Sequence, residues 1–415
     1  RSKVRFDKEP CVAMTLDKFS KLNLMEIREE GFEYIFLDES HLLFQSEYRP
    51  VMPKVIEMIR NTEVPIIMMS GTPVGETLFF PGIVHLKVIK EDIRKKSIEV
   101  NLVNRPSDSM YYMTKAMAKD IAEGRRVLFP TNKGTMFKEE VEAAVNYFLE
   151  TDHTIFKPAV VNYYKKANVG EKFMDEVNVN KTISNTDILL CSNYLSVGVD
   201  ILDRYEFSIY FNEVWMPQEI EQFANRLRGN DLYVHLYISK NDADGNSLGV
   251  SKYKAINLHL NEDELKNCHS VLRLCNAMIE RNPIEYKYNS LISSIINNNK
   301  FVEYNEVENK YYLNEIAYKT IYFERKYRDY VEQLPVLVKG MMYYGYQYTS
   351  NDLSAVTVDV KKFKEAIHTA FSETSKKNTV LIEELMDLIT EDRLGIYKSV
   401  MSGIEIGRAS CRERV

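Results

Sequence analysis

The chain has 415 residues, 45% hydrophobic and 27% charged, a balance typical of soluble globular proteins with two or three domains. The net charge of -6 excludes a generally basic surface, so any nucleic-acid binding must come from a local groove. The five cysteines form no CxxC pair and show no zinc spacing, which predicts reduced thiols and no structural metal. Because the sequence contains no secretory signal and no apolar run of membrane-spanning length, we expect a cytoplasmic protein with no membrane partner.

The first strong pattern is the stretch Tyr34 to His41, in which an apolar run ends in the adjacent carboxylates Asp38 and Glu39. Such runs are typical of strands buried in a parallel sheet, and open α/β sheets bind ligands outside the carboxyl ends of their strands. One carboxylate can hold Mg²⁺ together with water, and a second can orient the water that attacks a γ-phosphate. We therefore predict Asp38 as the magnesium ligand and Glu39 as the catalytic residue. Taken alone, the pair is more typical of a polar exit from a strand.

A second apolar run, Val64 to Met69, ends in the turn Ser70-Gly71-Thr72-Pro73, which carries hydroxyl groups into the same crevice. Taken alone, this turn is more typical of an ordinary strand ending, because proline disfavours helix at the residue before it. Farther on, Lys90 to Lys96 is a charged stretch that predicts a solvated surface. The polar segment Arg105 to Ser109 predicts a linker.

Helices and strands then alternate from residue 110 to residue 239, which predicts a second parallel sheet with helical crossovers. In this part Pro217 begins a helix that we predict to extend to Arg228. Gln222 and Arg226 share a face of that helix, whereas Arg228 leaves this face only if the helix has ended, as Gly229 suggests. The alternative interpretation is that both arginines form salt bridges at the surface.

Four motifs in this order resemble those of superfamily-two helicases and translocases of the DExH type, over roughly residues 10 to 240. DESH resembles motif II of that family and SGTP resembles motif III. Motifs V and VI correspond to the blocks Ser192 to Asp200 and Gln222 to Arg228. The chain departs from the family in motif VI, because its arginines are two residues apart instead of three and Asn225 replaces a glycine. A family P-loop, GxxxxGK[ST], has no match in the sequence.

The resemblance implies an α/β fold with two RecA-like, doubly wound parallel-sheet lobes, the first of them incomplete, that bind ATP and Mg²⁺ between them. It implies catalytic roles for Glu39, Gln222 and the two arginines, either of which could contact the γ-phosphate. If the helix ends at Gly229, we predict Arg228 for this contact. Nucleotide contacts are implied for Asp38, His41, Gly198 and Asp200, and coupling roles for Ser70 and Thr72, with His41 as a partner of that turn. Contacts to the nucleic-acid backbone are implied for Thr15, Thr131, Asn132, Lys133 and Ser192. Thr15 fits a helix N-cap equally well.

The predicted domains are residues 1–104 as the remainder of the first lobe, residues 105–250 as the second lobe and residues 251–405 as a mostly helical accessory region. Residues 406–415 resemble the translation of a sequencing adapter, and we expect a reading frame cut at both ends. The accessory region resembles those of replication-origin helicases of viruses and mobile elements. That resemblance favours DNA over RNA and replication proteins as partners. Tyrosines between residues 304 and 348 are more typical of packing than of base stacking.

The function predicted from the sequence is ATP-dependent movement on nucleic acid, as a helicase or translocase. The alternative is a nucleic-acid-binding module that keeps the helicase fold without hydrolysis. The DESH sequence and both arginines favour an enzyme, although we expect residues 1–405 alone to be inactive without a P-loop.

Overall fold

The structure is a computed structural model. It describes residues 11–22, 24–44, 51–75, 79–80, 82–86, 94–133, 136–165, 172–183, 185–192, 195, 199–249, 262–281, 302–305, 310–331, 333–355, 360–361, 363–365 and 367–369. In this part of the chain, no helix has the length and apolar character needed to cross a membrane.

The first part of the chain forms a small parallel sheet. Its elements in chain order are α1 (Leu16–Phe19), α2 (Leu24–Glu29), β1 (Ile35–Leu37), a short 3-10 helix (Ser40–Phe44), α3 (Met52–Asn61) and β2 (Ile66–Met68). Ile35 pairs with Ile66, and the helices cover one face of the sheet with a core that includes Leu37, Val55 and Ile56. The opposite face carries four apolar side chains that are 41–61% exposed: Tyr34, Phe36, Ile67 and Met69.

Thr15 is the N-cap of α1. Its hydroxyl accepts a hydrogen bond from the Lys18 backbone N–H at 3.3 Å, which satisfies one of the free donors at the start of the helix. Of the two explanations for Thr15, the capping role is therefore observed.

A larger parallel sheet follows. Six of its strands are β3 (Lys96–Val103), β4 (Arg126–Pro130), β5 (Val161–Tyr164), β6 (Ile188–Cys191), β7 (Phe207–Asn212) and β8 (Leu232–Ser239). Its helices are α4 (Pro106–Ala122), α5 (Met136–His153), α6 (Lys172–Asp175) and α7 (Pro217–Ala224). Side chains of β6 alternate between two core clusters, Leu189 in one and Leu190 in the other, so both faces of the sheet are covered. The predicted α/β class is confirmed.

Two predictions about the junction between the sheets are wrong. Arg105 to Ser109 is not a linker, because Pro106 begins α4 and the Asp108 carboxylate accepts a hydrogen bond from the Arg105 N–H at 3.2 Å. β3, which we placed in the first lobe, pairs with β8 along its whole length and belongs to the larger sheet. The division into domains otherwise stays a prediction.

The C-terminal region combines helices with strands. It contains α8 (Glu262–Arg281), β9 (Val302–Asn305), β10 (Lys310–Leu313), α9 (Glu315–Val331), α10 (Leu334–Tyr343) and β11 (Gln347–Asp352). β11 pairs with β3 and gives the larger sheet the order β11-β3-β8-β7-β4-β6-β5. The sequence pattern did not indicate this strand, because all six of its residues are exposed at the sheet edge. Residues 370–405 of the predicted accessory region and the adapter-like residues 406–415 lie outside the described residues.

Candidate functional site

The predicted acidic pair lies directly after β1, at the carboxyl end of the small sheet. Asp38 is exposed, and its carboxylate accepts a hydrogen bond from the Glu39 N–H at 3.0 Å. Glu39 has a φ of 51°, which is uncommon for a residue with a side chain and turns the chain sharply at this point. Its half-buried carboxyl has a raised pKa, because of burial and then the charge of Asp38, although Arg226 acts in the opposite direction. A carboxyl with a raised pKa is a better proton acceptor when it is ionised.

His41 connects the acidic pair to the turn after β2. Its Nδ1 lies 3.0 Å from the Ser70 hydroxyl and 3.3 Å from Glu39 Oε2. The predicted contact between His41 and this turn is therefore observed. Burial lowers the pKa of His41 to about 4, and the charge of Arg226 adds to this effect. At neutral pH the ring is uncharged, with one nitrogen free to accept a hydrogen bond.

The side chain of Gln222, in α7 of the larger sheet, contacts two loops of the small sheet. Its Nε2 lies 2.7 Å from His41 Nε2 and 2.8 Å from the Thr72 hydroxyl. If His41 carries its proton on Nδ1, both hydrogens of the Gln222 amide have an acceptor. Thr72 is held in turn by its own N–H, which donates to the Ser70 hydroxyl at 3.0 Å. The three motifs that contribute these residues therefore meet at one point.

The two arginines follow the end of α7. The helix ends at Ala224, so the predicted helix to Arg228 is too long. The next residues form an extended bridge: the Ile201 N–H donates to the Arg226 carbonyl at 2.6 Å, and the Arg228 N–H donates to the Ile201 carbonyl at 3.1 Å. Leu227 points into the core with no exposure. Because side chains alternate along an extended segment, both arginines lie on the opposite side.

Asp200 forms salt bridges with both arginines. Its Oδ1 lies 3.6 Å from Arg226 Nη1 and 3.1 Å from Arg228 Nε. The Arg226 side chain is 14% exposed, and its charge opposes the rise in the pKa of Glu39 and adds to the burial that lowers the pKa of His41. The Arg228 side chain is 53% exposed. Arg226 is thus the arginine whose field reaches the acidic pair, although we had predicted Arg228 for the γ-phosphate.

The predicted backbone-binding residues of the larger sheet lie together at the carboxyl ends of β4 and β6. The Thr131 N–H donates to the Cys191 carbonyl at 2.7 Å, which places Thr131 beside Ser192. Thr131 is buried, and its hydroxyl accepts from the Lys133 N–H at 3.2 Å, whereas Asn132 and Lys133 are exposed. Thr15, the remaining predicted backbone-binding residue, lies apart from them at the start of α1, which packs on the small sheet. Gly198 lies outside the described residues.

Sequence reasoning missed a polar cluster that holds the segment with the arginines. We had interpreted Lys90 to Lys96 as a solvated surface, but the Lys96 ammonium lies 2.9 Å from Glu221 Oε1, and their side chains are only 9% and 7% exposed. Arg94 donates to the Leu227 carbonyl at 3.4 Å and to Asn225 Oδ1 at 3.1 Å, and Asn225 donates to Glu221 at 2.9 Å. The sequence contains one weak signal, which is that these basic residues stand at the start of the apolar alternation of β3.

Comparisons with known proteins complete the description of the site. No family model and no curated protein matches the chain. Among solved structures, it is similar to Mss116p bound to ssRNA and AMP-PNP (14% identity, TM-score 0.37, 55% of this chain and 46% of that one). It is also similar to the helicase Lhr of Mycobacterium smegmatis bound to ssDNA and AMP-PNP (13%, 0.37, 54% and 31%). A third is the helicase MrfA bound to DNA and AMPPNP (12%, 0.36, 72% and 45%).

The chain spans less than half the length of each of these three structures. At these identities and TM-scores the likeness concerns the fold alone.

Proposed function

We propose that this chain is part of an ATP-dependent nucleic-acid helicase or translocase of superfamily two. The observation that carries the proposal is the contact of Gln222 with His41 and Thr72, beside the acidic pair Asp38 and Glu39. Gln222 belongs to the larger sheet and hydrogen-bonds two loops of the small sheet. A ligand bound between the sheets can therefore change the distance between them through these contacts.

The acidic pair is suited to hydrolysis of a phosphoanhydride. Asp38 is exposed and offers carboxylate oxygen, which Mg²⁺ prefers. When bound, Mg²⁺ would neutralise charge on the phosphates. Glu39 would orient the attacking water, and its half-buried carboxyl can accept a proton from it.

Arg226 would supply positive charge from the opposite side of the cleft. A guanidinium is always ionised and can form two parallel hydrogen bonds to phosphate oxygens. Asp200 holds Arg226, with Arg228 on the same carboxylate. The chain itself contains no GxxxxGK[ST] match, so these residues would form only one part of the phosphate site.

The nucleic-acid strand would run along the carboxyl ends of β4 and β6, where Asn132, Lys133 and Ser192 offer an amide, an ammonium group and a hydroxyl. Contacts of this kind bind the phosphate backbone without reading sequence. We propose DNA as the partner in preference to RNA, and replication of a virus or mobile element as the setting, on the sequence resemblance of the accessory region.

The test is ATP hydrolysis in a longer protein in which a GxxxxGK[ST] segment precedes residue 1, called here the extended protein. We expect hydrolysis stimulated by single-stranded nucleic acid, and background hydrolysis from the 415 residues alone. Glu39→Gln keeps the shape of the side chain and removes the base, so turnover should fall by roughly 10² or more while ATP still binds.

Glu33→Gln, an exposed glutamate just before β1, is the matched control and should leave turnover unchanged. Turnover of Glu39→Gln within a few-fold of the unmodified protein would remove Glu39 from the catalytic role and with it the interpretation of DESH.

A further inference from the structure

Helix α9, in the C-terminal region, packs against the element that carries His41. Phe323 of α9 is 6% exposed, and its ring meets Phe44 and Phe79 edge-on, with a centroid distance of 6.0 Å in both pairs. Phe44 is the last residue of the short 3-10 helix that begins at Ser40. The aromatic cluster therefore fixes that helix, and His41 within it, against α9.

The same ring lies against the segment that follows the Ser70–Thr72 turn. Gly75 has a φ of 76°, and a Cβ atom built on it would lie 2.7 Å from the Phe323 ring. No side chain fits between this backbone and the ring, so the contact is as close as two such groups can come. Phe323 thus touches the chain close to both loops of the small sheet that Gln222 contacts.

One turn farther along α9, Tyr327 connects the small sheet to α7. Its ring stacks on Phe323 at 5.3 Å and packs against the core of the small sheet, and its hydroxyl accepts a hydrogen bond from the Gln218 amide. Gln218 and Gln222 are four residues apart and share one face of α7. A contact at Gln218 therefore sets the position of Gln222.

The other end of this C-terminal segment is anchored on the larger sheet. Gly340 of α10 packs so closely on Pro217, the first residue of α7, that a Cβ there would lie 2.6 Å from the proline ring. β11 then joins the larger sheet beside β3. α9 and α10 together therefore span from the small sheet to the larger one.

We infer that Phe323 and Tyr327 are positioning residues for the site between the sheets, and that α9 holds Gln222 of one sheet in contact with His41 and Thr72 of the other. The consequence for hydrolysis rests on the proposed function, whereas the contact itself can be tested without catalysis.

The test uses the full 415-residue chain with ¹³C-labelled histidine, and follows the ring signal of His41 by NMR as the pH changes. His41→Gln identifies that signal among the seven histidines. In the unmodified chain we expect a pKa of about 4. Burial is the main cause of this low pKa, the charge of Arg226 in the larger sheet lowers it further, and the charge of Asp38 opposes both. Phe323→Ala should therefore raise the pKa by about one unit or more toward its ordinary value.

Tyr327→Phe removes only the hydroxyl group, so this variant should fold even if Phe323→Ala does not. It should also raise the pKa of His41. Ile321→Ala is the matched control, because Ile321 is equally buried on α9 but belongs to a separate cluster with Ala317 and Tyr318. This control should leave the pKa of His41 unchanged.

Gly75→Ala tests the same contact from the other side, and Gly31→Ala has a similar positive φ with no atom within 4 Å of the added methyl group. Only Gly75→Ala should raise the pKa of His41. A pKa near 6.5 in the unmodified chain, or an unchanged pKa in both Phe323→Ala and Tyr327→Phe, would overturn the inference.

In the extended protein, the same substitutions should lower kcat for ATP more than they change KM, because Gln222 and Arg226 would reach the site less often in the productive arrangement. If the extended protein did not hydrolyse ATP at all while the His41 titration moved as expected, the proposed function would fail and the inference about α9 would stand.

Discussion

At the scale of single residues, the end of α7 explains the unusual spacing of the two arginines. In a continuous helix, residues two apart point in different directions. Because α7 ends at Ala224 and the chain continues as an extended bridge to Ile201, residues two apart point the same way. Arg226 and Arg228, although only two residues apart, therefore share Asp200.

We predict that Arg226, and not Arg228, acts on the γ-phosphate. Its charge opposes the rise in the pKa of Glu39 that burial and Asp38 cause, and its burial removes competing water. In the extended protein, Arg226→Ala should lower kcat by about 10³ if arginines of this kind elsewhere are a guide, with a small change in KM. Arg228→Ala should have a smaller effect on kcat.

Steady-state ATP hydrolysis by the two variants decides between them, with the exposed Arg204→Ala as the control for loss of one positive charge in the same region. A larger loss of kcat at Arg228 would restore the original prediction from the sequence.

At the scale of elements, the buried pair of Lys96 and Glu221 joins three of them. Lys96 begins β3, Glu221 lies in α7, and the Lys96 ammonium also donates to the Tyr344 carbonyl at 3.4 Å, at the end of α10. Two charges with less than 10% exposure stabilise only while both are present, because each alone would be left without a partner in a poorly solvated place.

Lys96→Met should therefore reduce the free energy of unfolding by about 3 kcal/mol. Adding Glu221→Gln removes the charge left behind and keeps an oxygen for Asn225, so the double variant should be more stable than Lys96→Met alone. Urea denaturation of the single and double variants measures both effects.

A matched control is Lys240→Met, because Lys240 pairs with Asp352 at 2.6 Å between β8 and β11 but the two side chains are 32% and 56% exposed. It should cost no more than about 1 kcal/mol. Equal losses for Lys96→Met and Lys240→Met would mean that the buried pair has no special importance.

The sequence predicted the buried strands and the loops at their ends, but not the edge strand β11 or the contacts of α9. Apolar runs such as that of β6, followed by polar residues, identify buried strands and the loops at their ends, so Asp38, Ser70, Thr131 and Ser192 were found at strand ends. β11 is a polar edge strand with no such run, and its partner β3 lies about 250 residues earlier in the chain. Phe323 likewise meets Phe44 through a contact that no local pattern indicates.

At the scale of the whole molecule, the net charge of -6 limits how the chain can hold nucleic acid. A protein with a basic face neutralises many phosphates and loses affinity steeply as salt rises. Here Lys133 supplies exposed positive charge at the predicted edge of β4 and β6, and its ammonium lies 4.3 Å from the Phe137 ring. The aromatic ring keeps this charge at the strand end, so one lysine at a fixed place should carry much of the salt dependence.

Lys133→Ala should therefore weaken binding of a single-stranded oligonucleotide and make its salt dependence less steep. Loss of one phosphate contact to a single strand reduces the slope of log K against log salt concentration by about 0.7. Fluorescence anisotropy at several salt concentrations measures the slope. Lys119→Ala, an exposed lysine of α4 paired with Glu123, removes the same charge elsewhere on the larger sheet and should change neither the affinity nor the slope. Equal changes in both variants would indicate that the chain responds only to its total charge, and the edge of β4 and β6 would then not be the binding site.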